Sequence, residues 1–364
     1  MLYLPADFLK PGMVLARGVP SSNPLLPLLV KGQQLTQDSI KTILHHGIKG
    51  LYIESELSEG IDCEEILDPE EKHVMLTDIK SEFTKLSRGS IRTTYRKMGK
   101  MAESIVLGVL DKDGVLCNVM DIRDYDNYTY AHSLYVSIIS VVLGKSMGLN
   151  ETQLNDVATA GLLHDIGKLD IPAHIINKPG PLEKEEFDII KQHPMRAVDR
   201  LRSMHDCREA IIQGVASHHE FYNGDGYPRG LKGDDIPLYG RILAIADVYD
   251  ALSAKRSYRE PWTQGEILDY LTSRSGVQFD PALLGNFLAG ISAYPAGSLV
   301  KLSDDSVGIV VHNHGGFALR PTVRLIHPAS RTNEQIDLSQ DYLNITVVDT
   351  LSRSDWDAIC ADKG

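Results

Sequence analysis

The spacing of apolar residues changes along the chain and divides it into segments. Residues 1–55 carry two short β-compatible runs, 13–16 and 50–53, around one helical segment, 37–45, and five prolines interrupt them. From about residue 66 to 292 the apolar positions recur with a helical period. Beyond Pro295, short β-branched runs separated by Asp-Asp and Asn-His-Gly-Gly turns predict a small β-sheet.

Three helices are predicted in the central region from their local patterns. Asn150 has the form of an N-cap with Gln153 as its capping-box partner, and the following apolar residues recur at helical spacing. This helix should end near Gly167. A second helix should start near Asp126, and a third should cover 239–254.

These patterns predict a mainly helical protein with small appendages at both ends. Its 364 residues correspond to roughly two domains of ordinary size, about 150 residues each. The predicted segments are a small α+β module (1–60), an acidic linker and helical connector (61–115), a helical domain (116–294) and a β-rich C-terminal appendage (295–364).

The charge is acidic overall and unevenly distributed. The chain has 37 Lys and Arg against 49 Asp and Glu, a net charge of −12. This balance disfavours DNA or RNA polymers and anionic membranes as partners, because each requires a positive surface. Between Glu54 and Lys72 there are nine acidic residues and one basic residue, so most of the excess belongs to a stretch expected to be a solvated connector.

Cysteine usage and hydropathy favour a cytoplasmic protein. The four cysteines are far apart and form no Cys-x-x-Cys pair, so neither a zinc ribbon nor a disulfide framework is indicated. No apolar run approaches the roughly 18 residues that a membrane span requires. The first residues also lack the basic and apolar regions of a signal peptide.

Histidines and aspartates in the helical region form the candidate chemistry. Asp247 lies in a helix that is apolar nearly all round, where its carboxyl group should be paired with a buried Arg or Lys, protonated, or bound to a metal ion. Imidazoles and carboxylates without thiolates suit iron, manganese or zinc. The candidate residues span 116 positions and are His132, His164, Asp165, His193, His218, His219 and Asp247.

A long ordered set of motifs resembles the HD-GYP family, a subgroup of the HD metal-dependent phosphohydrolases. The resemblance covers about residues 124–290. The motifs are DYDNYTYAHS (124–133), HDIGK (164–168), QHP (192–194), HHEFYNGDGYPRGLKGDDIP (218–237) and RILAIADVYDALSAKRSYR (241–259).

The resemblance implies a helical HD-type domain that holds two divalent metal ions, with iron expected and manganese or another first-row ion as the alternatives. The first ion would take His132, His164, Asp165 and Asp247. The second would take His193, His218 and His219, with Asp165 bridging both. Some family members have a Glu four residues before the first His and bind a third ion, but Tyr128 stands at that position here.

The activity implied by the resemblance is hydrolysis of cyclic di-GMP to pGpG, or further to GMP, by a metal-bridging hydroxide. Asp165 and Lys168 would be catalytic, with Lys168 on the scissile phosphate. The other residues expected near the substrate are Gly226, Tyr227, Pro228, Asp250, Arg256 and Arg259. Two bound dications would reverse the negative field that composition suggests.

Two other functions remain open at this point. The domain could be a cyclic di-GMP receptor or scaffold that does not hydrolyse its ligand, or a phosphohydrolase of another cyclic dinucleotide or nucleotide. Expected protein partners are a second copy of the chain, through helices near 70–115, and signalling proteins, through the Gly-Tyr-Pro loop.

Overall fold

The computed structural model describes residues 1–19, 27–46, 48, 50–61, 63, 66–87, 91–111, 128–178, 180–204, 206–253, 262–327 and 329–361. The described residues form two compact units. One comprises those of Met1–Val74, Gly114–Tyr128 and Ala289–Gly364, and the other those of Met75–Asp113 and Thr129–Leu288. The predicted division of the chain at residues 60, 115 and 294 stays a prediction.

Helices account for most of the regular structure in the described residues. In chain order they are α1 (Gln37–His45), α2 (Pro69–Ser87), α3 (Ile91–Leu110), α4 (Tyr128–Ser146), α5 (Glu151–Leu163), α6 (Ala173–Ile176), α7 (Lys184–Ile190), α8 (His193–Ser203), α9 (Glu209–Ser217), α10 (Leu238–Ser253), α11 (Gln264–Ser273), α12 (Pro281–Gly290) and α13 (Arg353–Ala361). Among the described helices, none is both long and apolar enough to cross a lipid bilayer.

The first unit contains residues from both ends of the chain and two β-sheets. Strands β1 (Leu2–Pro5) and β2 (Gly50–Ile53) pair antiparallel. A second, five-stranded antiparallel sheet has the order β6-β5-β4-β3-β7. Its strands are β3 (Leu299–Leu302), β4 (Val307–His312), β5 (Thr322–His327), β6 (Gln335–Asp337) and β7 (Val347–Thr350).

One apolar core serves both sheets of this unit. Leu4 of β1 and Leu51 of β2 are buried in the same cluster as Ile309 of β4. Trp356 of α13 joins the cluster, and its ring stacks on that of Phe8 with the centroids 6.3 Å apart. Burial of this apolar surface explains why such short strands are stable together.

The second unit is a bundle in which α5 lies against α3, α9 and α10, while α8 lies against α9. Its interior is aliphatic, and Leu162, Val215 and Ile245 are all fully buried there. The bundle aligns several helix ends at one place, because α5 and α9 end beside each other and α8 begins there. Polar residues that follow these helix ends are thereby gathered inside the unit.

The predicted fold class is confirmed: the protein is mainly helical, with a small α/β module at the N-terminus and a β-sheet near the C-terminus. The capping box at Asn150 and Gln153 is also present, with reciprocal hydrogen bonds of 3.0 Å. The third predicted helix matches α10 closely, and the helix expected to start near Asp126 is described from Tyr128.

Several predicted boundaries were wrong. Helix α5 ends at Leu163 rather than near Gly167, because the chain turns at Asp165 into a 3₁₀ helix, Ile166–Asp170. The run 13–16 forms isolated bridges, at Val14 and Leu15, instead of a strand. Strands β1 and β6 and helix α13 were not predicted, since none of the three shows a clear local period.

Candidate metal centre

The seven predicted ligands lie together in the second unit, delivered by helix ends and by two helix interiors. His132 lies one turn inside α4, and Asp247 lies in α10. The other five stand at the ends of helices: His164 and Asp165 after α5, His193 at the first position of α8, and His218 and His219 after α9. Six of the seven are at least nine-tenths buried, and only His219 is partly exposed.

Three of the histidine rings are oriented by the backbone of their own helices. A carbonyl oxygen can only accept, so the Nδ1 atom of each ring must carry the proton. The Nε2 atom then presents a lone pair to the interior, as metal-binding imidazoles do. The bonds run from His164 to Gly161 O (2.8 Å), from His193 to Ile190 O (2.8 Å) and from His218 to Val215 O (2.6 Å).

The imidazoles converge more closely than hydrogen bonding among them can explain. The Nε2 atoms of His193 and His218 lie 3.2 Å apart, although neither has a proton to share with the other. His132 and His164 show the same 3.2 Å separation between their Nε2 atoms, but there a proton on His132 Nε2 can lie between the two rings. Facing lone pairs in a buried site are unfavourable unless a cation lies between them. The donor set therefore fits a metal ion.

Three groups of candidate ligands have their donor atoms within 4.8 Å of one another. One consists of His132, His164 and Asp247, and another of His193, His218 and His219. The third links these two, because it combines His164 and His218 with Asp165. The arrangement can hold more than one cation, with an aspartate in the middle.

Asp165 faces both histidine groups. Its Oδ1 is 3.5 Å from His193 Nε2, and its Oδ2 is 3.5 Å from His164 Nε2 and 2.6 Å from Lys168 Nζ. Among the described residues Oδ1 has no hydrogen-bond partner, although it is buried, and such an atom costs free energy unless a cation satisfies it. Burial would raise the pKa of Asp165, but Lys168 and the surrounding histidines hold it well below its usual value.

The histidines of the centre differ in their protonation states. Burial lowers the pKa of His193 to about 3 and that of His219 to about 4, so both rings are neutral at neutral pH. Burial acts in the same direction on His132, but hydrogen bonds to Asp247 and Asp250 outweigh it and raise the pKa to about 9. His132 must therefore lose a proton before it can bind a cation.

Gly167 allows α8 to approach the Asp165 turn. A Cβ atom at this position would collide with the carbonyl oxygen of His193 and lie 2.6 Å from the backbone nitrogen of Ala197. This contact between the 3₁₀ helix and the first turn of α8 brings His193 beside Asp165. The HDIGK motif thus requires a glycine at this position for a steric reason that does not depend on metal binding.

The Gly-Tyr-Pro loop borders the centre on the side of His219. The rings of Tyr227 and His219 stack with centroids 4.8 Å apart, and the Tyr227 N–H donates to the His219 carbonyl oxygen at 3.1 Å. The Tyr227-Pro228 peptide bond is cis. Gly226 lies against the backbone at Glu220, whose Cα would be 2.6 Å from a Cβ on that glycine.

Asp250 is another residue that was predicted to lie near the substrate. Asp250 is fully buried, and its Oδ2 lies 2.7 Å from His132 Nδ1, so it accepts the proton on that atom and orients the ring. Its expected place beside the substrate stays a prediction. Arg256 and Arg259 lie outside the described residues, as does the side chain of Tyr128.

Two residues of this region were missed by the sequence analysis. Glu220 is buried and Arg229 is exposed, and both make hydrogen bonds that hold the Gly-Tyr-Pro loop. A signal was available for Glu220. An acidic residue directly after two adjacent histidines and before a Gly-rich loop is expected to be either a ligand or a loop anchor.

The chain is similar in sequence to several known proteins. Residues 116–283 match the family profile described as HD domain. The chain is 34% identical over 232 residues to the cyclic di-GMP phosphodiesterase PA4108 of Pseudomonas aeruginosa, which covers 63% of this chain and 55% of that protein. It is 37% identical over 218 residues to 3′3′-cGAMP-specific phosphodiesterase 2 of Vibrio cholerae, covering 58% of this chain and 41% of that protein.

A solved structure shows the same fold. Bd1817, an HDG"Y"P protein from Bdellovibrio bacteriovorus, aligns with a TM-score of 0.53 at 16% identity, over 79% of this chain and 97% of that one. The chain spans about half the length of the curated relatives it matches. Residues 116–283 are thus similar in sequence to the HD domain, and they include the HDIGK (164–168) and Gly-Tyr-Pro (226–228) motifs.

Proposed function

We propose that the chain is a metal-dependent phosphodiesterase that hydrolyses cyclic di-GMP to pGpG. The observation that carries the proposal is the convergence of imidazole Nε2 atoms and carboxylates in one buried cluster, with Lys168 at its edge. Relatives at 34% and 37% identity from Pseudomonas aeruginosa and Thermotoga maritima, both named as cyclic di-GMP phosphodiesterases, support the choice of substrate.

The cluster suits two divalent ions, and we propose iron, with manganese as the alternative. His132, His164 and Asp247 would hold one ion, while His193, His218 and His219 would hold the other. Asp165 would serve both, because each of its oxygens faces a different histidine group. Such ions supply Lewis acidity towards a phosphate and lower the pKa of a coordinated water.

Among the described residues, Lys168 is well placed to bind the phosphodiester. Its side chain is about one-third exposed, so its ammonium group lies at the boundary between the buried centre and solvent. It adds a fixed positive charge next to Asp165, where the phosphate of an anionic substrate would meet the centre. Charge that develops on a phosphate oxygen during the reaction would be stabilised there.

Asp250 and Tyr227 each contact one histidine of the cluster, His132 and His219 respectively. Asp250 holds the Nδ1–H of His132, which keeps the Nε2 atom directed at the centre. Tyr227 covers the ring of His219 and reduces its contact with water. Exclusion of water strengthens the electrostatic interactions inside the site.

A second substrate, 3′3′-cGAMP, is favoured by one comparison. The Vibrio cholerae relative at 37% identity is named as specific for that dinucleotide. Cyclic di-GMP and 3′3′-cGAMP share the phosphodiester ring and differ in one base. The metal cluster and Lys168 would treat both alike, so the choice depends on groups that contact the bases.

A substrate panel tests the proposal. Protein loaded with Fe²⁺ or Mn²⁺ is incubated with cyclic di-GMP, 3′3′-cGAMP or cyclic di-AMP, and the products are separated by chromatography. The proposal expects linear pGpG from cyclic di-GMP at a rate above those of the other two. Binding of cyclic di-GMP by calorimetry without any product would support the receptor function instead, and faster turnover of 3′3′-cGAMP would support the second substrate.

Dimerisation through helices near 70–115, protein partners at the Gly-Tyr-Pro loop and a cytoplasmic location stay predictions from the sequence. Sedimentation of the purified chain would test the first of these directly.

A further inference from the structure

A buried carboxylate anchors the loop that follows His219. Glu220 is only 2% exposed, and its two oxygens accept hydrogen bonds from backbone groups nine and eleven residues further on. Oε1 accepts from Arg229 N at 2.8 Å, and Oε2 accepts from Leu231 N at 3.0 Å. Hydrogen bonds to a carboxylate are stronger than those to a neutral acceptor, so the loop is closed firmly at this point.

The guanidinium of Arg229 anchors the same loop to helix α9. It donates to Ser217 Oγ at 2.6 Å and to Gln213 Oε1 at 3.0 Å. Arg229 thus contributes its backbone N–H to Glu220 and its side chain to the helix that precedes His218. We call this pair of contacts the Glu220–Arg229 latch.

The loop residues between Glu220 and Arg229 include those that contact the candidate metal centre. Between the two ends of the latch lie Gly226 and Tyr227, and Gly226 leaves no space between the loop and the backbone at Glu220. Tyr227 stacks on the His219 ring and donates its N–H to the His219 carbonyl oxygen. Neither Glu220 nor Arg229 belongs to the candidate ligand groups.

We infer that Glu220 and Arg229 are positioning residues, which fix the loop so that the Tyr227 ring lies beside His219 as one wall of the substrate site. The latch itself follows from the contacts, while its effect on substrate rests on the proposed function. Loss of either the Glu220 contact or the Arg229 contact would let the loop residues adopt more conformations, because fixing them in a single conformation costs entropy. The wall would then be formed only part of the time, which weakens substrate binding more than the chemical step.

Hydrogen exchange tests the latch without any substrate. In the full chain, Glu220→Gln should raise exchange at the Arg229 and Leu231 amides by about tenfold or more, the effect of losing a charge-assisted hydrogen bond. Exchange at the Tyr227 amide should rise as well, although Glu220 does not accept from it. Arg229→Gln changes an exposed side chain, so the variant should fold, and it should also raise exchange at Tyr227.

Glu186→Gln is the matched control. Its carboxylate also accepts a backbone N–H, that of Glu183 at 2.8 Å, but it does so at the start of α7. This variant should leave exchange in residues 221–231 unchanged. If exchange at Tyr227 stays at the unmodified level in both Glu220→Gln and Arg229→Gln, the latch is overturned.

Kinetics tests the effect on substrate. With metal content equal by elemental analysis, Glu220→Gln and Arg229→Gln should raise KM for cyclic di-GMP about tenfold and change kcat by less than about threefold. Faster exchange with an unchanged KM would overturn the positioning role and leave the phosphodiesterase proposal intact. Faster exchange in a chain that never hydrolyses cyclic di-GMP would contradict the proposed function and leave the latch standing.

Discussion

The Nε2 atoms of His193 and His218 lie 3.2 Å apart, and both rings donate their Nδ1 protons to backbone carbonyls. Two imidazole lone pairs are thus held face to face inside the protein. The backbone hydrogen bonds fix both rings, so the pair cannot relieve this contact by changing tautomer. A divalent cation is the partner that satisfies both lone pairs.

Removal of one of these rings should reduce metal content selectively. We expect His193→Ala to lower the metal bound by about one ion per chain, because it dismantles the three-histidine group and leaves the group of His132, His164 and Asp247. Elemental analysis of the purified variant measures this directly. His174→Ala changes an exposed histidine of the same unit and should keep the full content. Equal metal content in both variants would contradict the assignment.

Asp250→Asn tests whether that carboxylate orients His132. The amide keeps an acceptor for the Nδ1–H but loses the negative charge, so metal affinity should fall by roughly 10- to 100-fold. Competition with a chelator of known affinity measures the change. If Asp250 instead contacts only substrate, KM for cyclic di-GMP will rise while metal affinity remains at the unmodified value.

The stability of chelator-treated protein should depend on pH in two opposite ways. His193 and His219 have pKa values of about 3 and about 4 in the folded state, below the ordinary value of 6.5. The unfolded chain therefore binds more protons below pH 6.5. The free energy of unfolding should fall as the pH decreases from 6.5 towards 4, by about 1.4 kcal/mol per pH unit for each ring.

His132 gives the opposite slope at higher pH. Its pKa of about 9 means that the folded state holds a proton which the unfolded state has lost above pH 6.5. This contribution to stability is complete below pH 6.5 and is lost as the pH rises through 9. Urea unfolding of chelator-treated protein from pH 4.5 to 9 should therefore show a maximum near pH 6.5, and a flat profile would contradict these protonation states.

Lys168 can be tested against a closely matched lysine. Lys168 Nζ lies 2.6 Å from Asp165 Oδ2, and Lys178 Nζ lies 2.6 Å from Glu186 Oε2, with almost equal side-chain exposure of 32% and 31%. Lys168→Met should lower kcat for cyclic di-GMP by about 100-fold, since it removes a preorganised charge beside the phosphate. Lys178→Met should leave kcat unchanged, and equal kcat values in the two variants would contradict a role for Lys168 on the phosphate.

Gly167 should be intolerant of a side chain. Gly167→Ala places a Cβ against the His193 carbonyl oxygen, so α8 must shift, and we expect the free energy of unfolding to fall by about 1 to 3 kcal/mol. Gly285→Ala is the control, because no atom lies within 4 Å of its added Cβ, and it should be neutral or slightly stabilising. Chemical denaturation of both variants gives the comparison. Equal stability would contradict the close approach.

The features predicted best from sequence are those with a local physical cause. The capping box at Asn150 and the apolar face of α5 depend on residues within a few positions, so their pattern is visible in the chain. The short strand β1 depends on pairing with β2, almost fifty residues away, and has no period of its own. Tertiary pairing of this kind cannot be predicted from a four-residue run.

The sequence predicted which residues form the candidate site, but it did not predict the hydrogen bonds that hold them in place. The unusual set of His and Asp residues on apolar segments identified the residues that converge. The hydrogen bond from His132 to Asp250 joins residues 118 positions apart, and the backbone contacts of Glu220 cross a loop. These contacts depend on how helices and loops pack, and no local pattern in the chain encodes that packing.

Product formation as a function of metal loading tests the central claim most directly. Chelator-treated protein is titrated anaerobically with Fe²⁺ or Mn²⁺, and the conversion of cyclic di-GMP to pGpG is followed by chromatography at each addition. We expect the rate to rise with added metal and to reach a plateau at about two ions per chain. The absence of pGpG at every metal loading, in protein shown to be folded, would contradict the account.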